Sequence, residues 1–357
     1  MLSVQKYLRD HNMDFEQLKS TYGIGYVFNE NDNRVILNYS QIESKKDCKL
    51  VEEARGLVLD KTDASIIARA FNRFYNWGEI RRVDNAFDFN NCTATHKEDG
   101  SIILVYYYNG LWHVNTRGSF GNGEVCEGMT WRNLFNLAFD NSKLDRLDKN
   151  CTYVFELCSR YNKVVRDYPS PKVYLLSVYN VALGIEYQED TINLMSNKLE
   201  LERPKNVVCK DIYDAQMYVS EQEVSDKTFE GLVLRDLNNL RVKLKSASYV
   251  ALHRLANNHQ MTLERAWDII VKGEESEFLV YFPELRDMFD KVARTRLTMQ
   301  REFGILYESV KGIQNQKEFA LAVKDSRYAA ACFAMRKFGV VEDETWFRIF
   351  QRIYNER

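Results

Sequence analysis

The stretch His96-Lys97-Glu98-Asp99-Gly100-Ser101 sets a lysine on a tight turn directly before a β-branched run. A lysine in a Lys-x-Asp-Gly setting can attack the α-phosphorus of a nucleoside triphosphate, provided its amine is at least partly deprotonated at neutral pH. Free lysine, with a pKa of about 10.4, is almost wholly protonated there, so burial or neighbouring cations have to lower it. Asp-Gly alone is ordinary turn chemistry, and a Lys-x-Asp-Gly match arises by chance in roughly one chain in ten of this size.

Other chemistry-bearing residues supply the context. In Arg241-Val242-Lys243-Leu244-Lys245, strand alternation puts Lys243 and Lys245 on one face and Val242 and Leu244 on the other. Two like charges on one face repel, which makes sense if an anion such as a triphosphate sits between them; an isolated pair reads as a solvated edge strand. Glu156 lies within Tyr153-Val154-Phe155-Glu156-Leu157 and Glu230 within Phe229-Glu230-Gly231-Leu232-Val233. A carboxylate in such a run either faces water or meets a metal, a hydroxyl or a cation, because its burial is otherwise costly. Gly231 beside Glu230 admits the close approach of a ligand or another backbone. Arg55-Gly56 precedes Leu57-Val58-Leu59, and Arg117-Gly118-Ser119 follows a hairpin. Arginine beside glycine at a strand end suits bidentate phosphate contact. Arg73, in Phe71-Asn72-Arg73-Phe74-Tyr75-Asn76, is a further cation among aromatics. Each arginine taken singly is better read as a surface residue.

The elements that must hold these residues divide the chain. From about residue 20 to 245 the pattern is of short β-branched and aromatic runs separated by Gly, Asn and Asp. Its clearest unit is a hairpin of Ser101–Tyr108 and Leu111–Thr116 around Asn109-Gly110, the dipeptide that supplies two positive-φ residues. Further strands are expected at Arg55–Asp60, Thr152–Leu157, Lys172–Tyr179, Phe229–Arg235 and Leu240–Leu244, with helices near 3–19, 127–139 and 189–200. After about residue 250 the texture is helical: Thr262 caps a helix that stops before Gly273, and Pro283 opens a long one. Three more fit Gln316–Val323, Ser326–Lys337 and Asp343–Tyr354. The expectation is an α+β chain, with an antiparallel-sheet-rich domain over 1–250 and an all-helical domain over 251–357.

Composition narrows the class. A chain of 357 residues with 45% apolar and 13% aromatic residues can build two cores. Seven scattered cysteines without a Cys-x-x-Cys pair argue for reduced thiols, and five histidines form no metal-binding pattern. A formal charge of -2 means that any nucleic acid is held by a local basic patch. Without a long apolar run or an apolar signal core, the chain is expected to be soluble, not secreted, cytoplasmic and without membrane contact.

In order and spacing, these pieces resemble the covalent nucleotidyltransferase superfamily of polynucleotide ligases and capping enzymes. Lys97-Glu98-Asp99-Gly100 is similar to its nucleotidyl-lysine motif and Arg117-Gly118-Ser119 to the motif after it. Phe155-Glu156, Glu230-Gly231 and Lys243-Leu244-Lys245 are similar to its third, fourth and fifth. Within it the likeness is to RNA ligase 1 of T-even phages, through Ala54-Arg55-Gly56-Leu57, Arg73-Phe74-Tyr75-Asn76 and Lys243-Leu244-Lys245-Ser246, with Tyr249 a few residues beyond. Arg73 and Arg117 stand where that family has lysine, so charge is kept but hydrogen-bonding geometry is not.

The resemblance implies an ATP-dependent RNA ligase with Mg2+ (or Mn2+) as metal and RNA 5′-phosphate and 3′-hydroxyl ends as substrates, tRNA included. It implies Lys97 as nucleophile and Glu230 as metal ligand. Arg55, Arg73, Arg117, Glu156, Val233, Lys243, Lys245 and Tyr249 are implied around the nucleotide, with Glu156 on the ribose or the lysine and Val233 against adenine. A DNA ligase or capping enzyme would normally add an OB domain after the fifth motif, where this chain turns helical, as the phage enzyme does. That helical domain is a candidate for RNA recognition, and a monomer is expected. A nucleic-acid-binding module that lost catalysis is the reading from another class; its mark would be loss of the lysine or the acidic residues, all of which are present.

Overall fold

Sheets dominate the first of two units, Met1–Ala256, in the computed structural model, whose described residues are 1–255 and 261–355. A four-stranded antiparallel meander joins Ile24–Phe28, Arg34–Tyr39, Arg55–Asp60 and Ile66–Ala68. A five-stranded antiparallel sheet follows the order Ile185–Glu186, Lys172–Asn180, Cys151–Cys158, Ser101–Tyr108, Leu111–Thr116. Its hairpin turns at Asn109 and Gly110, with φ of 49° and 84°. The central strand Cys151–Cys158 is buried at every position. On one face Tyr153, Phe155 and Leu157 pack with Phe135 and Phe139. On the other, Val154 packs with Ile36, Val58 and Leu104, which seats the meander on that face. Glu156 follows two residues along the Val154 face, where this packing opens into a cavity.

A second five-stranded sheet has the order Asn206–Val207, Thr93–His96, Gly231–Arg235, Arg241–Lys245, Tyr75–Asn76, the last pairing parallel. Its register aligns Gly231 with Lys245, Val233 with Lys243 and Thr95, and Arg235 with Arg241. Alternation therefore sorts the sheet into two faces. Leu232, Leu234, Val242, Leu244 and Ala94 fill an apolar cluster with Phe229 and Val219. The opposite face gathers Arg241, Lys243 and Lys245 in one row beside Val233 and Thr95.

Several helices differ from expectation for identifiable reasons. The stretch 3–19 forms two helices, Ser3–Asp10 and Phe15–Tyr22, because Asn12 and Met13 take φ of 52° and 61°. Asp14 caps the second by accepting the Gln17 N–H at 2.8 Å. The helix near 127–139 starts at Trp131, after Met129–Thr130 has paired with Glu124–Cys126. Helix Glu189–Leu199 lies where the pattern put it. The strand-rich stretch also holds an unanticipated helix, Ile212–Ser225; its buried residues are Ala215 and Val219, so its periodicity is faint.

Helix Ala247–Leu255 stays with the first unit, anchored by the Ser246 hydroxyl, which donates to Phe229 O at 2.7 Å. The second unit, Asn257–Arg357, is helical: Leu263–Val271, Glu275–Tyr281, Arg286–Val310, Gln316–Val323, Ala329–Phe338 and Asp343–Asn355. Thr262 caps the first of these, accepting the Arg265 N–H at 3.3 Å. Pro283 opens a 3-10 turn and the long helix begins at Arg286. Ser326 accepts the Tyr328 N–H at 3.1 Å, and that turn delays the next helix to Ala329. Trp267, Phe278, Phe289, Phe319 and Phe350 are buried in this unit. Among the described residues, no helix is long and apolar enough to cross a membrane.

Candidate active site

Strand Thr93–His96 delivers Lys97, whose N–H donates to Gly231 O at 2.9 Å, and the chain then turns into Ser101–Tyr108. The turn lies flush on the neighbouring strand: a Cβ at Gly100 would sit 2.4 Å from Leu157 O. Asp99, almost fully buried, holds the turn from inside. Its Oδ2 accepts the N–H groups of Val165 and Arg166 at 2.8 and 2.6 Å, and its Oδ1 accepts the Tyr249 hydroxyl at 2.8 Å. Tyr168 ties down the neighbouring residue, donating to Glu98 Oε2 at 2.9 Å, and burial pushes the Glu98 carboxyl above its usual range. The nucleophile candidate is thus fixed by backbone and carboxylate bonds on both sides.

Glu230, buried, carries the charges. Its Oε1 lies 2.9 Å from Lys97 Nζ and 3.4 Å from Lys245 Nζ, so one carboxylate bridges the two amines. Next to it Gly231 has φ of 137°, and a Cβ there would lie 1.9 Å from Leu244 O, so the two strands close on each other only through glycine.

Lys97 opens onto a cavity of about 530 Å³, within the range of small-ligand sites, lined also by Arg55, Arg117, Glu156 and Val233. Burial lifts the Glu156 carboxyl to about 7 against the pull of Lys97, with Glu230 adding to the rise and Arg55 opposing it. At neutral pH this group therefore can both donate and accept hydrogen bonds. Burial lowers the Arg55 guanidinium to about 10, still cationic at neutral pH; it lies 4.6 Å from the Phe71 ring centre. Its Nη1 has no hydrogen-bond partner among the described residues. A buried, charged and incompletely satisfied donor beside a cavity suits an incoming anion.

Arg73, Glu230, Lys243, Lys245 and Tyr249 do not line this cavity. Arg73 stacks on Tyr39 at 4.2 Å from the ring centre, and Arg117 Nη1 donates to the Tyr39 hydroxyl at 3.0 Å. Burial alone would push the Tyr39 phenol up, yet Arg117, Arg55, Arg73 and Lys243 together hold it below its ordinary value. Tyr39 thus marks where four cations converge. Tyr249, expected beside the nucleotide, is 2% exposed and bonded to Asp99 behind the Lys97 turn, where it positions rather than faces the cavity.

Sequence reasoning missed Tyr39, whose context carries no signal. It also passed over Arg241, although the alternation that pairs Lys243 with Lys245 includes it. Arg241 lies 4.4 Å from the Phe71 ring centre, opposite in sequence but convergent in space with Arg55, and pairs with Glu186. Among the described residues no three His, Cys, Asp or Glu side chains form a ready metal cage. A magnesium ion held by one carboxylate, waters and nucleotide phosphates needs none, and Glu230 is a carboxylate that fits that role.

The family model described as RNA ligase matches residues 53–249, more than half of the chain and the whole run from Arg55 to Tyr249. The chain belongs to this RNA ligase family. It is 28% identical over 334 residues to a putative bifunctional polynucleotide kinase/RNA ligase of Autographa californica nuclear polyhedrosis virus, covering 88% of this chain and 46% of that protein. The chain thus spans about half the length of the viral relative. A putative RNA ligase of Thermovibrio ammonificans is 24% identical over 323 residues, covering 82% of this chain and 80% of its own. The fold is shared with an archaeal ATP-dependent RNA ligase at a TM-score of 0.50 and 14% identity, over 91% of this chain and 90% of that one.

Proposed function

We propose that this chain is an ATP-dependent RNA ligase. The Lys97 Nζ attacks the α-phosphorus of ATP; a P–N bond forms, the α–β P–O bond breaks, pyrophosphate leaves and the amine gives up a proton. An RNA 5′-phosphate oxygen then attacks the AMP phosphorus and returns Lys97 to its free form. A 3′-hydroxyl finally attacks the activated 5′-phosphate, seals the strand and expels AMP.

The observation that carries this reading is the bridge Lys97–Glu230–Lys245 beside a nucleotide-sized cavity lined by Arg55, Arg117 and Glu156. In it the Lys97 amine is engaged with Glu230 and has to leave that carboxylate before it attacks. Mg2+ bound with ATP supplies charge neutralisation on the phosphates and a cation for Glu230. Lys243 and Lys245 stabilise charge on the α-phosphate and on the leaving pyrophosphate. Arg55, Arg73 and Arg117, gathered round Tyr39, receive outer phosphates or the RNA 5′-phosphate. Glu156 bonds the ribose, Val233 packs on adenine, and Tyr249 acts through Asp99. The family likeness extends the proposal to repair of RNA ends, tRNA among them, with the helical unit contributing to RNA recognition, by a monomer in the cytoplasm.

Protein stripped of bound AMP with pyrophosphate, then incubated with α-phosphate-labelled ATP and Mg2+, should carry label through denaturing electrophoresis, and Lys97→Ala should not. Adding 5′-phosphorylated RNA should chase the label into RNA. An unlabelled wild type overturns the reading.

A further inference from the structure

A loop that the chemistry above leaves unused, residues 159–171, is strapped onto the Lys97 turn. Its Val165 and Arg166 N–H groups bond Asp99, its Tyr168 hydroxyl bonds Glu98, and its Asn162 Nδ2 donates to Ser101 Oγ at 3.1 Å. These bonds spend the loop's inward groups on consecutive parts of the nucleotidyl-lysine turn. Its outward side has another character. Arg160 and Lys163 are exposed, Tyr161 and Val164 are 43% and 44% exposed, and the segment holds three cations, Arg160, Lys163 and Arg166, against the single acid Asp167. Arg166 has Asp226 at 3.6 Å, and Arg160 donates to Pro169 O at 2.6 Å. Exposed Lys205 reaches the same turn from another segment: its carbonyl accepts the His96 N–H at 2.8 Å. After burial, Lys205 and then Arg166 are what hold His96 down, to about 4, so both cations lie close to the residue before Lys97.

Exposed cations beside an exposed aromatic are what a single nucleic-acid strand uses: cations track phosphates and a ring stacks on a base. The loop's attachment selects the strand. It is bonded to the turn that presents Lys97, and the group that must reach the lysine-bound AMP is the 5′-phosphate.

We infer that the 159–171 loop, with Lys205, is the docking surface for the single RNA strand that brings the 5′-phosphate, Arg160, Lys163 and Lys205 taking backbone phosphates and Tyr161 stacking on a base. This rests on the ligase reading.

The test measures binding of a fluorescent, 5′-phosphorylated single-stranded RNA to the full chain by anisotropy across salt, alongside labelling of Lys97 by ATP. Lys163→Ala should weaken binding and flatten the plot of log Kd against log salt by about 0.7, the share of one phosphate contact on a single strand. Tyr161→Ala should weaken binding roughly tenfold with the slope unchanged. Both variants should still label as wild type does, which separates docking from damage to the turn. Wild-type affinity and slope in both variants, with labelling intact, would overturn this inference alone; a wild type that takes no label overturns the ligase reading beneath it. Equal affinity for a blunt duplex of the same length would also count against it, since a stacked base cannot meet Tyr161.

Discussion

The strand-rich unit buries Arg73, Asp99, Glu156, Glu230, Arg235 and Arg241, whereas the described interior of the helical unit is built of Trp267, Phe278, Phe289, Phe319 and Phe350, with Thr295 as its buried polar residue. Aromatic burial stabilises a fold by itself. Buried charge does the reverse unless it is paired, and even then a hydrophobic replacement is often as stable. The first unit therefore carries an electrostatic cost that its fold does not require, and Glu156, Arg235 and Arg241 bring part of that cost to the wall of the Lys97 cavity. The contrast teaches where to look for chemistry: in the unit whose interior is least favourable.

Experiments can break or sharpen that contrast. The largest effect is expected for Lys97→Ala, which should abolish the protein-bound label outright while both units keep their folds, as checked by circular dichroism. Phe289→Ala should cost the helical unit about 3–5 kcal/mol in urea unfolding and leave the label on Lys97 in place. If labelling fell in step with that unfolding, the two interiors would not be independent.

A third effect is a pH slope. The Glu156 carboxyl stands at about 7 in the folded protein against about 4.3 unfolded. Between those values the folded state holds the extra proton, so stability is greatest below the window and falls as pH rises through it. The contribution is on the order of 3 kcal/mol. Urea midpoints of the first unit should therefore fall from pH 5 to pH 8 more in wild type than in Glu156→Gln; equal falls would remove Glu156 from the account. The smallest effect is expected for Tyr249→Phe. Losing one hydrogen bond to the Asp99 carboxylate should cost about 2 kcal/mol and slow labelling, whereas an unchanged midpoint and rate would make that bond incidental.

Much of this arrangement was legible in the sequence because strand alternation is local. It put Lys243 and Lys245 on one face, and it placed Glu156 within a strand that is buried at every position; the strand expected from Phe229 instead begins at Gly231, so Glu230 is buried one residue before it. The Asn109-Gly110 turn was equally plain. Long-range features were not legible. Nothing near residue 39 announces a tyrosine among four cations, because Arg55, Arg73, Arg117 and Lys243 reach it from separate segments. The same holds for the bonds between Asp99 and the backbone at 165 and 166, some 66 residues on. Tyr249 was placed by likeness near the nucleotide, and its actual partner depends on how helix Ala247–Leu255 folds back. The helix Ile212–Ser225 escaped for a simpler reason, since two inward residues leave hardly any period to detect.

Gly231 is a point where the neighbouring backbone leaves no room for a side chain. Its carbonyl receives the Lys97 N–H, its register partner is Lys245, and a methyl group in place of its hydrogen would overlap Leu244 O. Even alanine there is a wedge driven between the strand that receives the Lys97 N–H and the strand that carries Lys245. Drift at this codon is therefore expected to leave a protein still recognisable by its outline but with Lys97 and Lys245 drawn away from the carboxylate they share, and a variant catalogue would register the position as all or nothing.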